Sequence, residues 1–203
     1  MIIPQTTENR KAAQETVARG GVIAFRTDTF YGLGADPFNV SAVRRIKELK
    51  GREGDKPILV VISDVDQIDR VIAAQSKTFK TLIEKLWPGP LTIIGAAAAG
   101  LSEELTAGTK TLGVRLPNDD EVRALARTCG GALTATSANL SGQPPARTAQ
   151  EVQDYFERKI DLIVDGGPAK TDQPSTVVEA VTDGVSLVRE GVLPWTEILA
   201  ACG

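Results

Sequence analysis

The chain has 203 residues, 42% of them hydrophobic but only 4% aromatic, so one domain with a substantial core built from Val, Ile, Leu and Ala is expected. A formal net charge of −3 supplies no global field for nucleic acid, so any RNA contact needs a local patch. Histidine is absent, which excludes a Ser-His-Asp triad, a His-containing zinc site and His general-base chemistry. Cys129 and Cys202 have no metal-ligand or disulfide-framework spacing and read as reduced thiols of a cytosolic protein. No apolar run reaches the roughly 20 residues that span a bilayer, and the N-terminus lacks a secretory pattern. A cytoplasmic location without membrane contact is therefore expected.

In chain order, a helix is predicted over 6–19, stopped by Gly20-Gly21, and then an apolar strand over 22–25. At the end of that strand comes Arg26-Thr27-Asp28-Thr29-Phe30-Tyr31-Gly32-Leu33-Gly34, read as a hydroxyl-rich loop whose glycines let the backbone approach a ligand. In open α/β sheets ligands bind at the carboxyl ends of strands, where this loop falls. Gly32-x-Gly34 lacks the third glycine of a dinucleotide fingerprint, and no Gly-Lys-Ser/Thr occurs, so neither nucleotide motif applies.

A helix over 41–49 leads into Lys50-Gly51-Arg52-Glu53-Gly54-Asp55-Lys56-Pro57, with three cations in seven residues. Glycines keep this connection open, and Pro57 prevents the helix from continuing. Lys offers phosphate a compact charge and Arg a planar fork, although a basic loop is more often simply solvated. A buried strand over 58–62 follows, then helical segments over 65–73 and 76–87. Trp87-Pro88-Gly89-Pro90 breaks the chain before a strand over 91–94, and 96–100 reads as a loose loop.

A strand over 112–116 carries Arg115 near its end. Such an arginine usually makes a structural ion pair and sometimes binds a ligand carboxylate. A helix over 119–128 and a strand over 132–136 lead to Ser137-Ala138-Asn139, a polar loop whose commonest use is backbone capping. The helix over 149–158, the strand over 161–164 and the turn Asp165-Gly166-Gly167-Pro168 follow. Residues 169–173 read as mobile and polar before Pro174-Ser175-Thr176-Val177. A last strand over 185–189 and a helix over 196–201 complete the chain. Helices alternate with strands early and strands cluster late, which predicts an α/β fold with an open, twisted, mixed sheet.

Seven of these pieces, in this order, resemble the YrdC-like threonylcarbamoyl-AMP synthases over nearly the whole length. They are Thr27 to Gly34, Lys50-x-Arg52 with Lys56-Pro57, and Trp87-Pro88-Gly89-Pro90-Leu91-Thr92. The others are Val114-Arg115-Leu116-Pro117, Ser137-Ala138-Asn139, Asp165-Gly166-Gly167 and Pro174-Ser175-Thr176-Val177. The resemblance implies a sheet around a large, positively lined central cavity. It also implies a reaction of L-threonine, bicarbonate or CO2, and ATP, giving threonylcarbamoyl-adenylate and pyrophosphate. The product would pass to a separate tRNA threonylcarbamoyltransferase complex that modifies adenosine 37. Mg2+ would arrive on ATP, with no metal held by the protein alone.

By the same resemblance, Lys50, Arg52, Ser137 and Asn139 line the nucleotide site, with Lys50 and Arg52 as the catalytic charges. Thr111 and Arg189 touch ATP. Thr27, Arg115 and Ser175 surround threonine or its carbamate, and Lys56 is a third cavity cation. Three neighbours depart from the pattern, since Arg26, Glu53 and Thr136 each stand where proline is usual. The length matches the short, single-domain form, residues 1–203.

The chemistry suits these residue types, because phosphoryl-type transfer is catalysed mainly by positioning and charge stabilisation. On this reading Lys50→Ala and Arg52→Ala each abolish adenylate formation and leave the fold intact. The alternatives are an RNA-binding module using the same basic cavity, with at most weak, salt-sensitive binding, a carbamoyl-transfer module, and an inactive paralogue. The intact Lys50, Arg52, Ser137 and Asn139 weigh against the last.

Overall fold

A computed structural model describes residues 1–51 and 56–203. The first half runs β1 (Ile2–Pro4), α1 (Arg10–Ala18), β2 (Ile23–Arg26), β3 (Tyr31–Gly34), α2 (Val40–Leu49), β4 (Val60–Ile62), a 3-10 segment (Val65–Arg70), β5 (Ile72–Ala74), α3 (Lys77–Leu86) and β6 (Leu91–Ala97). The second half runs α4 (Glu103–Thr106), β7 (Thr111–Arg115), α5 (Asp120–Thr128), β8 (Ala132–Thr134), β9 (Thr136–Ser137), α6 (Ala149–Phe156), β10 (Leu162–Asp165), β11 (Thr176–Glu179), β12 (Ser186–Arg189) and α7 (Trp195–Cys202).

The helices start where side chains can satisfy their first N–H groups. Asn39 accepts from Ala42 N, Ser76 from Phe79 N, Asp119 from Val122 N and Thr148 from Glu151 N. Beyond each cap the apolar spacing buries one face, such as Val43 and Ile46 of α2 or Val122 and Leu125 of α5.

The α/β class is as expected, with mixed sheets, and the strands divide between two of them. One has the order β1-β10-β2-β3-β9, parallel among its first three strands and antiparallel at β3 and β9. The other runs β12-β11-β6-β7-β4-β8, with β5 on the end of β6. The strand predicted over 132–136 is where the chain passes between them. β8 pairs with β4 in the larger sheet, Ala135 donates to the Leu59 carbonyl at 2.7 Å, and β9 pairs with β3 in the smaller one.

Apolar residues of α1 and α5 pack with β2, β10, β4 and β8 in a core of Ala13, Val17, Phe25, Val122 and Leu133 that bridges the two sheets. A larger core holds Tyr31, Val43, Ile46, Phe79, Leu91 and Val114.

Four local expectations change. Residues 31–34 form strand β3, and Gly34 serves packing: a Cβ there would lie 2.6 Å from the Phe25 ring. The helix predicted over 65–73 is a 3-10 segment followed by β5, because Ile72 and Ala74 pair with Ala97 and Ala96. The same pairing continues β6 into the stretch read as a loose loop. Ile2–Pro4 adds a parallel edge strand on β10.

Candidate active site

A cavity of about 620 Å³ is walled by strand ends and loops of both sheets. Of the ten residues expected at the site, Thr27, Lys56, Thr111, Arg115, Ser137, Ser175 and Arg189 line it. The described lining carries three cations (Lys56, Arg115 and Arg189) and one carboxylate, Asp172. Arg52 lies outside the described residues, as does the departure at Glu53.

The hydroxyl side chains are held by one another. The buried Thr27 Oγ1 donates to the Phe30 carbonyl at 2.7 Å, accepts from Thr29 N and lies 3.1 Å from Thr29 Oγ1. Ser175 Oγ is 3.0 Å from Thr92 Oγ1. Thr111 Oγ1 is 3.0 Å from Thr109 Oγ1. Tyr31, another wall residue, donates from its phenol to Asp165 Oδ1 at 3.0 Å and the Gly167 carbonyl at 2.8 Å. Burial, then the Asp165 carboxylate, pushes its pKa far above the usual phenol range, so it stays a neutral donor.

Two guanidiniums converge on the cavity. Arg189 donates from Nη2 to the Ser175 carbonyl at 2.9 Å. Burial lowers its pKa, and repulsion from Arg115 adds to the effect. Arg115 is almost fully buried and pairs with Asp28 at 3.0 Å.

Lys50 and Asn139 are placed differently from the expectation. Lys50 is 2% exposed and stands behind the wall. Its ammonium donates to the carbonyls of Ser137 and Asn139 and to Asn139 Oδ1. Ser137 Oγ donates to the same Oδ1 at 2.6 Å, and Asn139 Nδ2 donates to the carbonyls of Leu140 and Gln143. The Lys50 carbonyl accepts from Ser141 N at 3.0 Å. Lys50 and Asn139 thus bind the end of α2 to the loop that presents Ser137. The described partners of the Lys50 ammonium lie on that loop, and Lys50 is not among the residues that line the cavity.

Residues 15–191 match the model of the Sua5/YciO/YrdC family, described as "Telomere recombination". The chain belongs to this family. A Bacillus subtilis protein named threonylcarbamoyl-AMP synthase is 39% identical over 90% of the chain, which spans 53% of that relative's length. A Thiobacillus denitrificans protein of the same name is 38% identical, over 87% of the chain and 96% of the relative. The crystal structure of P. abyssi Sua5 complexed with L-threonine superposes with a TM-score of 0.96 at 32% identity, covering all of this chain and 61% of that one.

On this Sua5/YciO/YrdC scaffold the segment 169–173, read as mobile, is anchored. Ala169 N donates to the Arg147 carbonyl at 2.7 Å, and Lys170 Nζ lies 2.8 Å from Asp119 Oδ2. Arg26, one of the departures, reaches the same carboxylate at 3.3 Å. Thr29, Tyr31 and Asp172 are wall residues that the sequence reading did not single out, although the first two lie inside its own Thr27 to Gly34 motif.

Burial raises the Asp119 carboxyl, but Lys170, the Val122 N–H and Arg26 outweigh it and hold the pKa below the usual range. A depressed folded-state pKa adds stability above the unfolded value and loses it as pH falls through the folded one. Asp119→Asn keeps an N-cap side chain and removes the charge. With Lys170 half-exposed, a loss of about 1 kcal/mol at pH 7 is expected, or about 3 °C. Thermal melts should show the gap begin to narrow below about pH 3.9, the ordinary Asp value, and vanish only once the pH is below the depressed folded value. A gap that does not narrow at all as the pH falls through this range would remove the electrostatic account.

Proposed function

We propose that this chain is an L-threonylcarbamoyladenylate synthase, a nucleotidyltransferase that condenses L-threonine, bicarbonate or CO2, and ATP. The observation that carries this reading is the convergence of Thr27, Lys56, Thr111, Arg115, Ser137, Ser175 and Arg189 on one cavity. Its volume of about 620 Å³ lies within the size range of small-molecule sites.

The threonine amine adds to CO2 and loses a proton, giving a carbamate. A carbamate oxygen then attacks the α-phosphorus, and the bond to the pyrophosphate oxygen breaks. No covalent enzyme intermediate is needed, so the protein's part is orientation and charge stabilisation. Arg115 holds the threonine carboxylate, with Thr27 and Ser175 beside it. Arg189, Thr111 and Ser137 face the nucleotide, Arg52 is assigned to it by the family resemblance alone, and Lys56 supplies a further cation at the rim. Lys50 and Asn139 act through Ser137. Asp172 is the one carboxylate in the described lining, so the reading takes MgATP as the substrate, with Mg2+ entering on its phosphates. The product would go to a tRNA threonylcarbamoyltransferase complex in the cytoplasm, for modification of adenosine 37.

The test supplies ATP, Mg2+ and bicarbonate, with and without L-threonine, and measures pyrophosphate. Release should require threonine and exceed that with serine. Equal release without the amino acid would reject the assignment.

A further inference from the structure

We infer that Asp28 is the positioning residue for Arg115: it pins the guanidinium by charge alone and leaves its N–H groups to the substrate carboxylate. This rests on the reading of Arg115 as the carboxylate anchor. Both side chains are 7% exposed, and Asp28 Oδ1 lies 3.0 Å from Arg115 Nη2. The contact is too poorly aligned to be a hydrogen bond. Neither buried Asp28 oxygen has a hydrogen-bond partner, and neither has Arg115 Nε. Among the described residues Arg115 therefore spends no donor on the protein, although it lines the cavity.

A buried guanidinium without such an anion would be costly. Arg189 aggravates the problem, because its own charge repels Arg115 across the cavity. Asp28 supplies the missing counter-charge from behind. An aligned, bidentate pair would instead occupy the fork that a ligand carboxylate needs. The offset pair thus reconciles two demands, holding Arg115 in place and keeping it available.

Asp28 comes from the turn between β2 and β3, and Arg115 is the last residue of β7, so each sheet contributes one partner. The positioning is therefore also a tie between the two sheets beside the cavity wall.

The experiment measures calorimetric Kd values for L-threonine and L-threoninamide, together with KM for ATP and a thermal melt. Asp28→Asn preserves shape and removes charge. Its threonine Kd should rise about tenfold, its threoninamide Kd should stay within about twofold, and KM for ATP should not move. A merely structural role would weaken both amino-acid probes alike and lower the melt. Should Asp28→Asn fold poorly, Asp28→Ala is the second variant, with the same selective loss expected. An unchanged or tighter threonine Kd in these variants, with Arg115→Ala still losing threonine, overturns the role of Asp28 alone. If Arg115→Ala keeps its preference for threonine over threoninamide, the anchor reading fails and the inference falls with it.

Discussion

Lys50→Met is expected to melt roughly 10 °C below the parent protein and to lose about 10²-fold or more in pyrophosphate release. Methionine preserves most of the stem and deletes the ammonium that reaches two loop carbonyls and Asn139 Oδ1. Hydrogen bonds to a charged donor contribute about 1.5–3 kcal/mol each, and a buried acceptor left alone costs a similar amount. Their sum is not additive, so a net loss of about 3 kcal/mol is a reasonable scale. In a chain of this size each kcal/mol corresponds to about 2–4 °C. The activity loss follows because the Ser137–Asn139 loop then loses the polar contacts that Lys50 makes to it from the end of α2, keeping the Ser141–Lys50 backbone bond and the apolar packing of Ala138. A lysine whose work was to neutralise phosphate would leave the melting temperature unmoved, and that result would restore the direct role. Calorimetry of the apo protein separates the two.

How much of this was legible beforehand depends on where the physics is local. The helices that begin at Asn39, Ser76, Asp119 and Thr148 carry both cap and amphipathic stripe in the sequence, and all four start within two residues of where they were expected. The strand over 132–136 was read as one run because Ala135 has no breaker character. Its split depends on Leu59, more than 70 residues away, whose carbonyl takes the Ala135 N–H. β3 was hidden by its two glycines, and only the Phe25 ring packed against Gly34 explains why a strand there tolerates them.

The candidate site divides in the same way. Motif order was enough to bring seven side chains to one cavity. Whether a cation faces a ligand or a carbonyl is set by the third dimension, and Lys50 shows that the two can carry the same sequence signature. Asp28 was within a quoted motif, yet its partner at Arg115 lies 87 positions on. Nothing in either local sequence pairs them.

Thr176→Val is expected to destabilise the protein by about 3 kcal/mol and to reduce turnover at least tenfold, although the hydroxyl touches no lining group. Thr176 is fully buried. Its Oγ1 donates to the Leu193 carbonyl at 2.6 Å and accepts from Gly191 N at 2.9 Å and Leu193 N at 3.2 Å. Valine matches the shape and leaves three backbone groups without that partner, each costing about 1–3 kcal/mol if buried and unmet. The turn so released is packed directly on the cavity wall, since Val192 N donates to the Pro174 carbonyl at 2.9 Å. Gly191 lies so close that a Cβ would stand 2.8 Å from the Ser175 carbonyl carbon. Gly191→Ala should therefore reproduce the defect by pushing on the same backbone, while Ser175→Ala, which loses only the contact to Thr92 and a long one to Arg189, should keep nearly parental stability. Urea titrations of the three variants rank them directly. A Thr176→Val protein within 1 kcal/mol of the parent would mean that the hydroxyl is not what fixes Ser175 and Arg189 in register, and the wall would owe its shape to the pairing of β11 with β6 and β12.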